Sequence, residues 1–532
     1  MNPSNERLNT RAAGIVAGAV MMSRILGLCR ELIFAGLFGA GRGMDAFITA
    51  FRAPNLLRDL FAEGALSTAF VTVFSQKIAT EGEESAWSLA AKMASLTVVF
   101  MSLVSLLGVI FAPQLIYVLA PGFSPDKVLL TVLLTRVMYP FILLVSLAAL
   151  AMGMLNAKNI FTAPALASSF FNLGSILGGV AFGWWLDPHF GERALIGLAL
   201  GTLLGGLLQL LVQVPSLYKA GFHWILDCRW RDPGVKQVLS LMLPAVIAAS
   251  AVQINVMINS IFASYLGDGP VSWLSFSFRL MQLPLGVFGV AIATVTLPVI
   301  SRMAILGDMV QFCATLGRAM RLALFLTLPA AIGLIMLAEP IIALIYQRGK
   351  FQAFDTLRTA ESLQFYALGL IAYACIKVLT PAFYSINHRW TPMMISFLSI
   401  AVNFLFNLFF IFHLKMGHKG LALSTALAAM LNVGMLLFFM TRFAGTLHLG
   451  RLWSTLWRCA VASVPMILLA IAAHPWLHHL SKMPVLFRMG GLLGVIAGAV
   501  ALFMSMGWLL KIEEMSGFLT LLQSRWKRQF KR

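Results

Sequence analysis

Charge is what this sequence has least of. Only 11% of its 532 residues are Asp, Glu, Lys or Arg, against roughly 25% in an ordinary soluble domain. Acidic residues are scarcer still, 20 against 39 Lys and Arg. No sizeable polar stretch is left in which a soluble catalytic domain would fold, and no D-x-D pair occurs. An enzyme acting on a polyprenyl carrier needs positioned acid/base or metal-binding groups of that kind, so composition argues against a glycosyltransferase or phosphatase. The five cysteines, Cys29, Cys228, Cys313, Cys375 and Cys459, are scattered and odd in number. That excludes a disulfide framework and a thiolate metal site. A cleavable leader is not expected either, because the first apolar run is long, contains arginines and lacks a small-residue cleavage pattern.

What fills the chain is apolar. Hydrophobic residues make up 60% of it and the mean hydropathy is +0.87, which describes an integral membrane protein. The apolar runs are continuous rather than alternating at period two, so they predict helices and not a barrel. Fourteen runs of about 18 residues or more can be marked, each long enough to cross a hydrocarbon core of about 30 Å. They lie near 12–38, 45–76, 87–113, 130–155, 160–185, 193–217, 237–266, 271–302, 316–346, 360–384, 391–414, 420–442, 453–476 and 488–511.

A net charge of +19 would suggest nucleic acid in a soluble protein. Here most Lys and Arg sit in short loops and in the C-terminal tail, where they set topology. Arg7 and Arg11, the Lys219 to Lys236 loop, Arg302, Arg318 and Arg321, and the tail from Arg525 to Arg532 fall on one side of a fourteen-span chain. That side is expected to be the cytoplasm, with both termini there. No nucleic-acid partner is expected.

The two halves look alike. GLALGTLLGGLL from Gly197 recurs as GLALSTALAAML from Gly420; LFGAG ending at Gly41 and Phe51-Arg52 are echoed by YLGDG ending at Gly269 and Phe278-Arg279. Six spans per half return the chain to its starting side, so the copies run in parallel, the plan of some transporters. The expected domains are a first lobe over 1–218, an interfacial linker over 219–236, a second lobe over 237–445, and two further spans with a basic cytoplasmic tail over 446–532.

Against this apolar background one stretch, Ser23 to Phe70, keeps Arg24, Arg30, Glu31, Asp45, Arg52, Arg58, Asp59 and Glu63. Each such charge at bilayer depth costs roughly 2.5–3.5 kcal/mol, which makes an intramembrane cluster a functional hypothesis. On an ideal helix Arg52, Asp59 and Glu63 share a stripe while Arg58 points elsewhere, although Pro54 loosens that geometry. Asp59 and Glu63 are therefore expected to hold Arg52 and leave Arg58 freer. In the second half Arg279 is the isolated intramembrane cation. Guanidinium groups in a wet cavity suit a pyrophosphate, whose oxygens match their rigid fork of donors. The competing reading is structural: arginines that snorkel to headgroups or pair with Glu31, Asp45 and Asp59. His474, His478 and His479 have a spacing compatible with a metal, but in an outer loop beside Trp476 they read as interfacial.

The segments SRILGLCRE, GAGRGMDAF, FRAPNLLRDLFAEGALSTAF and SWLSFSFRLMQLPLGVFGVAIATVTLP resemble the MurJ (MviN) family of lipid II flippases, in the multidrug/oligosaccharidyl-lipid/polysaccharide exporter superfamily. The resemblance runs nearly the whole length. It implies an all-α integral membrane protein of fourteen transmembrane helices: two six-helix lobes in a V around a cationic cavity, plus two C-terminal helices. It implies translocation of undecaprenyl-pyrophosphate-linked peptidoglycan precursor, lipid II, across the bacterial cytoplasmic (inner) membrane by alternating access, without catalysis, among membrane lipids and other cell-wall synthesis proteins. Position by position, it implies cavity roles for Arg24, Arg30, Arg58 and Arg279, with Arg52 where relatives can have Lys. It makes Asp45, Asp59 and Glu63 charge partners or gating groups. The alternatives in the same superfamily are an exporter of another polyprenyl-pyrophosphate oligosaccharide and a multidrug antiporter, the latter expected to be acidic rather than basic. No cofactor or metal is implied. Some relatives carry an acidic D-T-K-T-P pattern linked to sodium, where this chain has Asn387-His388-Arg389-Trp390-Thr391-Pro392. Its seventh span offers Asn255 and Asn259 but no carboxylate. Sodium, a hard cation, prefers charged or multiple oxygen ligands, so sodium coupling is doubtful.

Overall fold

In a bilayer every backbone N–H and C=O must find its partner within the protein, and this chain solves the problem with helices throughout. The computed structural model describes residues 3–60, 66–480 and 483–515, with the side chains of residues 3–15, 17, 245, 247–249, 251 and 252 left out. Ten helical segments among the described residues are long and apolar enough to cross a membrane, or eleven if one pair bent by 44° counts as a single span. The fourteen runs read from the sequence are thus matched in part.

The chain divides into two compact units. The first takes in Met1–Ser272 together with Arg348–Phe351. Its helices are α1 (Pro3–Phe38), α2 (Arg42–Leu57), α3 (Ser67–Glu81), α4 (Glu83–Ile110), α5 (Ala112–Leu119), α6 (Pro125–Met138), α7 (Phe141–Ala157), α8 (Thr162–Leu186), α9 (Ala194–Leu211), α10 (Val214–Lys219) and α11 (Pro233–Ser264). The second takes in Trp273–Gln347 and Gln352–Arg532. Its helices are α12 (Pro270–Pro284, whose first turn belongs to the first unit), α13 (Ala291–Ile305), α14 (Met309–Met336), α15 (Ala338–Ile345), α16 (Ala353–Leu368), α17 (Leu370–Ser385), α18 (Trp390–Leu408), α19 (His418–Ala444), α20 (Leu449–Ala462), α21 (Val464–Leu480) and α22 (Val485–Leu509).

The sequence repeat has a counterpart in local structure. Helix α3 and helix α13 are both 15 residues long; α4 with α5 runs 28 and 8 residues, and so does α14 with α15. The break comes each time just ahead of a proline, Pro113 or Pro340, which cannot donate to the preceding turn. A π-type turn precedes α3, starting at 58–60, and another, Leu285–Val290, precedes α13. Each follows a proline, Pro54 or Pro284.

Lipid is as apolar as leucine, so helices in a membrane associate by close packing rather than by hydrophobic expulsion. Helices α8 and α9 meet through glycines: a Cβ on Gly174 or Gly178 would come within 2.9 Å of the Gly205 or Gly201 Cα, and one on Gly201 would fall well inside van der Waals contact of the Gly179 amide. Elsewhere in the first unit, Phe70, Phe74, Trp87 and Phe222 stack in series with centroids 5.2–5.7 Å apart. In the second unit Arg321 on α14 bonds Glu514 at 2.5 Å and so holds the segment that follows α22.

The 219–236 linker is pinned to α4. The Asp227 amide donates to Ser95 Oγ at 3.0 Å, and Lys92 donates to Asp232 at 2.7 Å. Asp232 in turn caps α11 by accepting from the Gly234 amide at 2.8 Å, the usual service of an N-cap carboxylate. Trp224, Ile225 and Leu226 stand exposed beside these anchors. Hydrogen bonds from the Arg229 side chain and backbone hold the Asp227 carboxyl down to about 2.

Candidate functional site: charges within apolar helices

Helix α1 carries two of the arginines singled out in the sequence, Arg24 and Arg30. Arg24 is exposed and Arg30 half-buried, with the Arg30 guanidinium carbon 5.3 Å over the Phe171 ring of α8. Gly27 between them admits a close neighbour, as its lack of a side chain suggests: the Asn172 amide nitrogen lies 3.6 Å from where its Cβ would be.

On the next rod the ideal-helix projection fails for Asp59. Arg58, not Arg52, engages Asp59, with Nη2 donating at 2.9 Å and Nε at 3.2 Å. The cause is local: beyond Leu57 the backbone leaves α geometry for π-type turns, which rotate the following residues off the 100° step that put Asp59 beneath Arg52. Asn55 and Gln253 of α11 also donate to Asp59, at 3.4 and 3.2 Å. Arg52 is half-buried. Glu63 lies outside the described residues.

Asp45 is the most enclosed carboxylate of the set, with no exposed surface. No arginine pairs with it in the contacts that define its setting. Its Oδ1 accepts from the Ser272 amide at 2.8 Å and the Ser272 hydroxyl at 2.6 Å; its Oδ2 accepts from the Gly269 amide at 2.7 Å and from Lys127 Nζ at 3.0 Å. Lys127, itself 1% exposed, also reaches Asp268 at 2.8 Å and the Gly267 carbonyl at 3.2 Å, and lies 4.1 Å over the Phe123 ring. The start of α2, the start of α6 and the turn into α12 thus share one fully bonded ion pair. The expected arginine partner is replaced by lysine because Lys127 enters at the first turn of α6, level with Asp45. Its signal was legible: a lone cation at the head of an apolar run, in APGFSPDKVLL.

In the second unit Arg279 is exposed on α12. Its neighbour Phe278 meets Tyr366 and Tyr373 edge-on, at 5.2 and 6.5 Å, so the residue before the cation is fixed by an aromatic wall. In the stretch aligned with the acidic pattern of some relatives, His388 stacks on Phe443 at 4.0 Å. Among the described residues no three His, Cys, Asp or Glu side chains gather as a metal site would need.

Residues 34–490 match the family model described as lipid II flippase MurJ. The chain belongs to the lipid II flippase MurJ family. A relative from Burkholderia cenocepacia, named lipid II flippase MurJ, is 36% identical over 441 residues, 82% of this chain and 84% of its own length. One from Rickettsia prowazekii, named a probable lipid II flippase MurJ, is 34% identical over 509 residues, 94% of this chain and 98% of its own. The solved structure titled lipid II flippase MurJ, inward closed conformation, superposes with a TM-score of 0.74 at 26% identity, covering 92% of this chain and 98% of that one. An inward-facing multidrug resistance MATE transporter of the MOP superfamily shares the fold, with a TM-score of 0.69 at 17% identity over 82% of this chain and 98% of its own. This is a transporter family, not a catalytic one.

Proposed function

We propose that this chain is a lipid II flippase of the bacterial inner membrane, carrying the undecaprenyl-pyrophosphate-linked peptidoglycan precursor from the inner to the outer leaflet by alternating access. The observation that carries the reading is the set of guanidinium groups on the helices of a lipid II flippase family member: Arg24 and Arg279 exposed, Arg30, Arg52 and Arg58 half-buried. At bilayer depth an exposed arginine is tolerable where it meets water or an anion rather than acyl chains, and the planar fork matches phosphate oxygens. These five are assigned to the pyrophosphate. Asp59 holds Arg58, Glu63 is assigned a charge-partner role on sequence alone, and Asp45 is the gate: its four bonds tie α2 to the turn into α12, and opening there requires their release.

Grouping consecutive helices separated by short breaks, and pairing α2 with α3 on sequence alone, gives fourteen rods: α1, α2–α3, α4–α5, α6–α7, α8, α9–α10, α11, α12–α13, α14–α15, α16–α17, α18, α19, α20–α21 and α22. That grouping, with the matched lengths of α3–α5 and α13–α15, supports two parallel six-span sets and two added spans. The excess of basic residues on one side supports cytoplasmic termini. The chain carries its substrate unchanged and performs no catalytic step. Sodium is not required: Asn387 to Pro392 brings no carboxylate, and membrane potential acting on the cavity charges is worth about 2.3 kcal/mol per charge per 100 mV.

The test replaces Arg24, Arg30, Arg58 and Arg279 singly by Ala and by Lys and measures labelled lipid II reaching the outer leaflet. Ala should abolish transport, with Lys restoring part of it where charge dominates; wild-type transport by all four Ala variants overturns the reading. Transport should persist when choline replaces sodium, and its loss would overturn sodium independence.

A further inference from the structure

The arginines of α1 stand against a helix whose contribution the family resemblance does not address. Asn172 of α8, 7% exposed, donates its side-chain amide both to the Ser23 carbonyl of α1 and to the Ser168 carbonyl of its own helix, each at 3.1 Å. That double bond of a buried amide fixes the register of α8 against the turn that bears Arg24. One residue earlier, Phe171 is 9% exposed and lies under the Arg30 guanidinium at 5.3 Å. Phe171 does not stand alone. It packs on Phe141 of α7 at 5.6 Å, and Phe141 packs on Phe51 of α2 at 5.5 Å, so a row of three rings runs from the residue beside Arg52 to Arg30.

A guanidinium over an aromatic face is attracted to the ring quadrupole, and the attraction grows as water is removed. The N–H donors of a guanidinium lie around the edge of its plane, so contact with a ring does not by itself consume them. We propose that Phe171 is a positioning residue for lipid II recognition: it holds the Arg30 guanidinium ready for the pyrophosphate, with Asn172 locking the ring in register. This rests on Arg30 being a substrate ligand. Holding a five-donor side chain in one rotamer before the substrate arrives removes ordering entropy that binding would otherwise have to supply. The effect therefore belongs in affinity for the pyrophosphate headgroup.

The experiment measures binding of fluorescent lipid II to the full-length protein in lipid nanodiscs, for Phe171→Leu, Phe171→Tyr, Arg30→Gln and the Phe171→Leu/Arg30→Gln pair. Phe171→Leu should weaken binding about tenfold, the upper end of the cost of ordering one rotamer-rich side chain, and Phe171→Tyr should bind as the native protein does. In the Arg30→Gln background the leucine should cost less than twofold more, because its partner is already gone. Leucine keeps an apolar filler at the site, and the tyrosine rescue and the lost additivity separate positioning from mere packing. Equal loss on leucine substitution with and without Arg30, or wild-type binding by Phe171→Leu where Arg30→Gln binds weakly, overturns the positioning role. Wild-type binding by Arg30→Gln removes the ligand role of Arg30, and the inference with it.

Discussion

Asp45→Asn is the sharpest single perturbation of this architecture, because the substitution is nearly isosteric and changes only charge and one acceptor. In the native chain each carboxylate oxygen takes two donors: the Ser272 amide and hydroxyl on Oδ1, the Gly269 amide and Lys127 Nζ on Oδ2. Asparagine keeps one acceptor. Turned toward Gly269 and Lys127, its NH₂ group faces two donors; turned the other way, it faces the Ser272 amide and forces the Ser272 hydroxyl to become an acceptor, in a site with no exposed surface. Breaking one partner out of a buried ion pair costs roughly 3–5 kcal/mol. Lys127 keeps Asp268 and the Gly267 carbonyl, which places the loss at the lower end, about 3 kcal/mol. At 1.36 kcal/mol per factor of ten, the amides of Gly269 and Ser272 should lose about a hundredfold of their hydrogen-exchange protection, read by mass spectrometry on the protein in detergent or nanodiscs. On the proposed gating role, the same variant should also transport lipid II poorly. Unchanged protection at Gly269 and Ser272 in a folded Asp45→Asn protein would refute the energetic argument, and full transport would refute the gating role.

Other outcomes follow from the same contacts. Gly201→Ala drives a methyl into the Gly179 backbone, an overpacking expected to cost about 1–3 kcal/mol; Gly434→Ala, with nothing within 4 Å of the new Cβ, should leave the thermal midpoint unchanged or raised. Gly349→Ala should also lower the thermal midpoint, because Gly349 sits at φ +55 with its Cβ position inside contact of the Gly36 carbonyl. A side chain there pays about 1–2 kcal/mol in left-handed backbone alone, and it would dislodge Lys350, whose backbone and ammonium bond Gly36, His189 and Phe190 at 2.8–3.0 Å. The Lys92–Asp232 pair is expected to be pH-sensitive on the acid side. Burial alone would raise the Asp232 pKa, but the hydrogen bonds from Lys92 and the Gly234 amide outweigh it and leave the carboxyl below its ordinary 3.8. A carboxyl depressed in the folded state contributes stability in full above its unfolded value and loses it as pH falls through the folded one. Exchange protection at the start of α11 should therefore hold from neutral pH to about 4 and fall below it, and Asp232→Asn should be weak at every pH; protection that falls already between pH 7 and 5 would contradict this.

Burial divides the charges of this chain into two uses, and the sequence makes that division only partly visible. Apolar run length predicts helices without any knowledge of neighbours, because the bilayer demands internal hydrogen bonding. The oddity of charges between Ser23 and Phe70 is equally local. What each charge touches is not. Projecting Arg52, Asp59 and Glu63 onto an ideal helix assumes 3.6 residues per turn, and one π-type turn after Leu57 is enough to hand Asp59 to Arg58 instead. Asp45 and Lys127 are 82 residues apart, and no periodicity links them; only the packing of α2 against α6 does. Once the contacts are known, physics sorts the groups. Asp45 and Lys127 are sealed from solvent with their polar atoms engaged inside the first unit, so they hold the fold and can act only by letting go. Arg24 and Arg279 are exposed on α1 and α12, and a cation exposed at bilayer depth costs roughly 2.5–3.5 kcal/mol unless water or an anion meets the side chain. A neutral cargo would gain nothing from them. On the proposed function a pyrophosphate would gain charge-assisted bonds from such side chains, which is why the test of that proposal replaces these arginines and not Asp45 or Lys127.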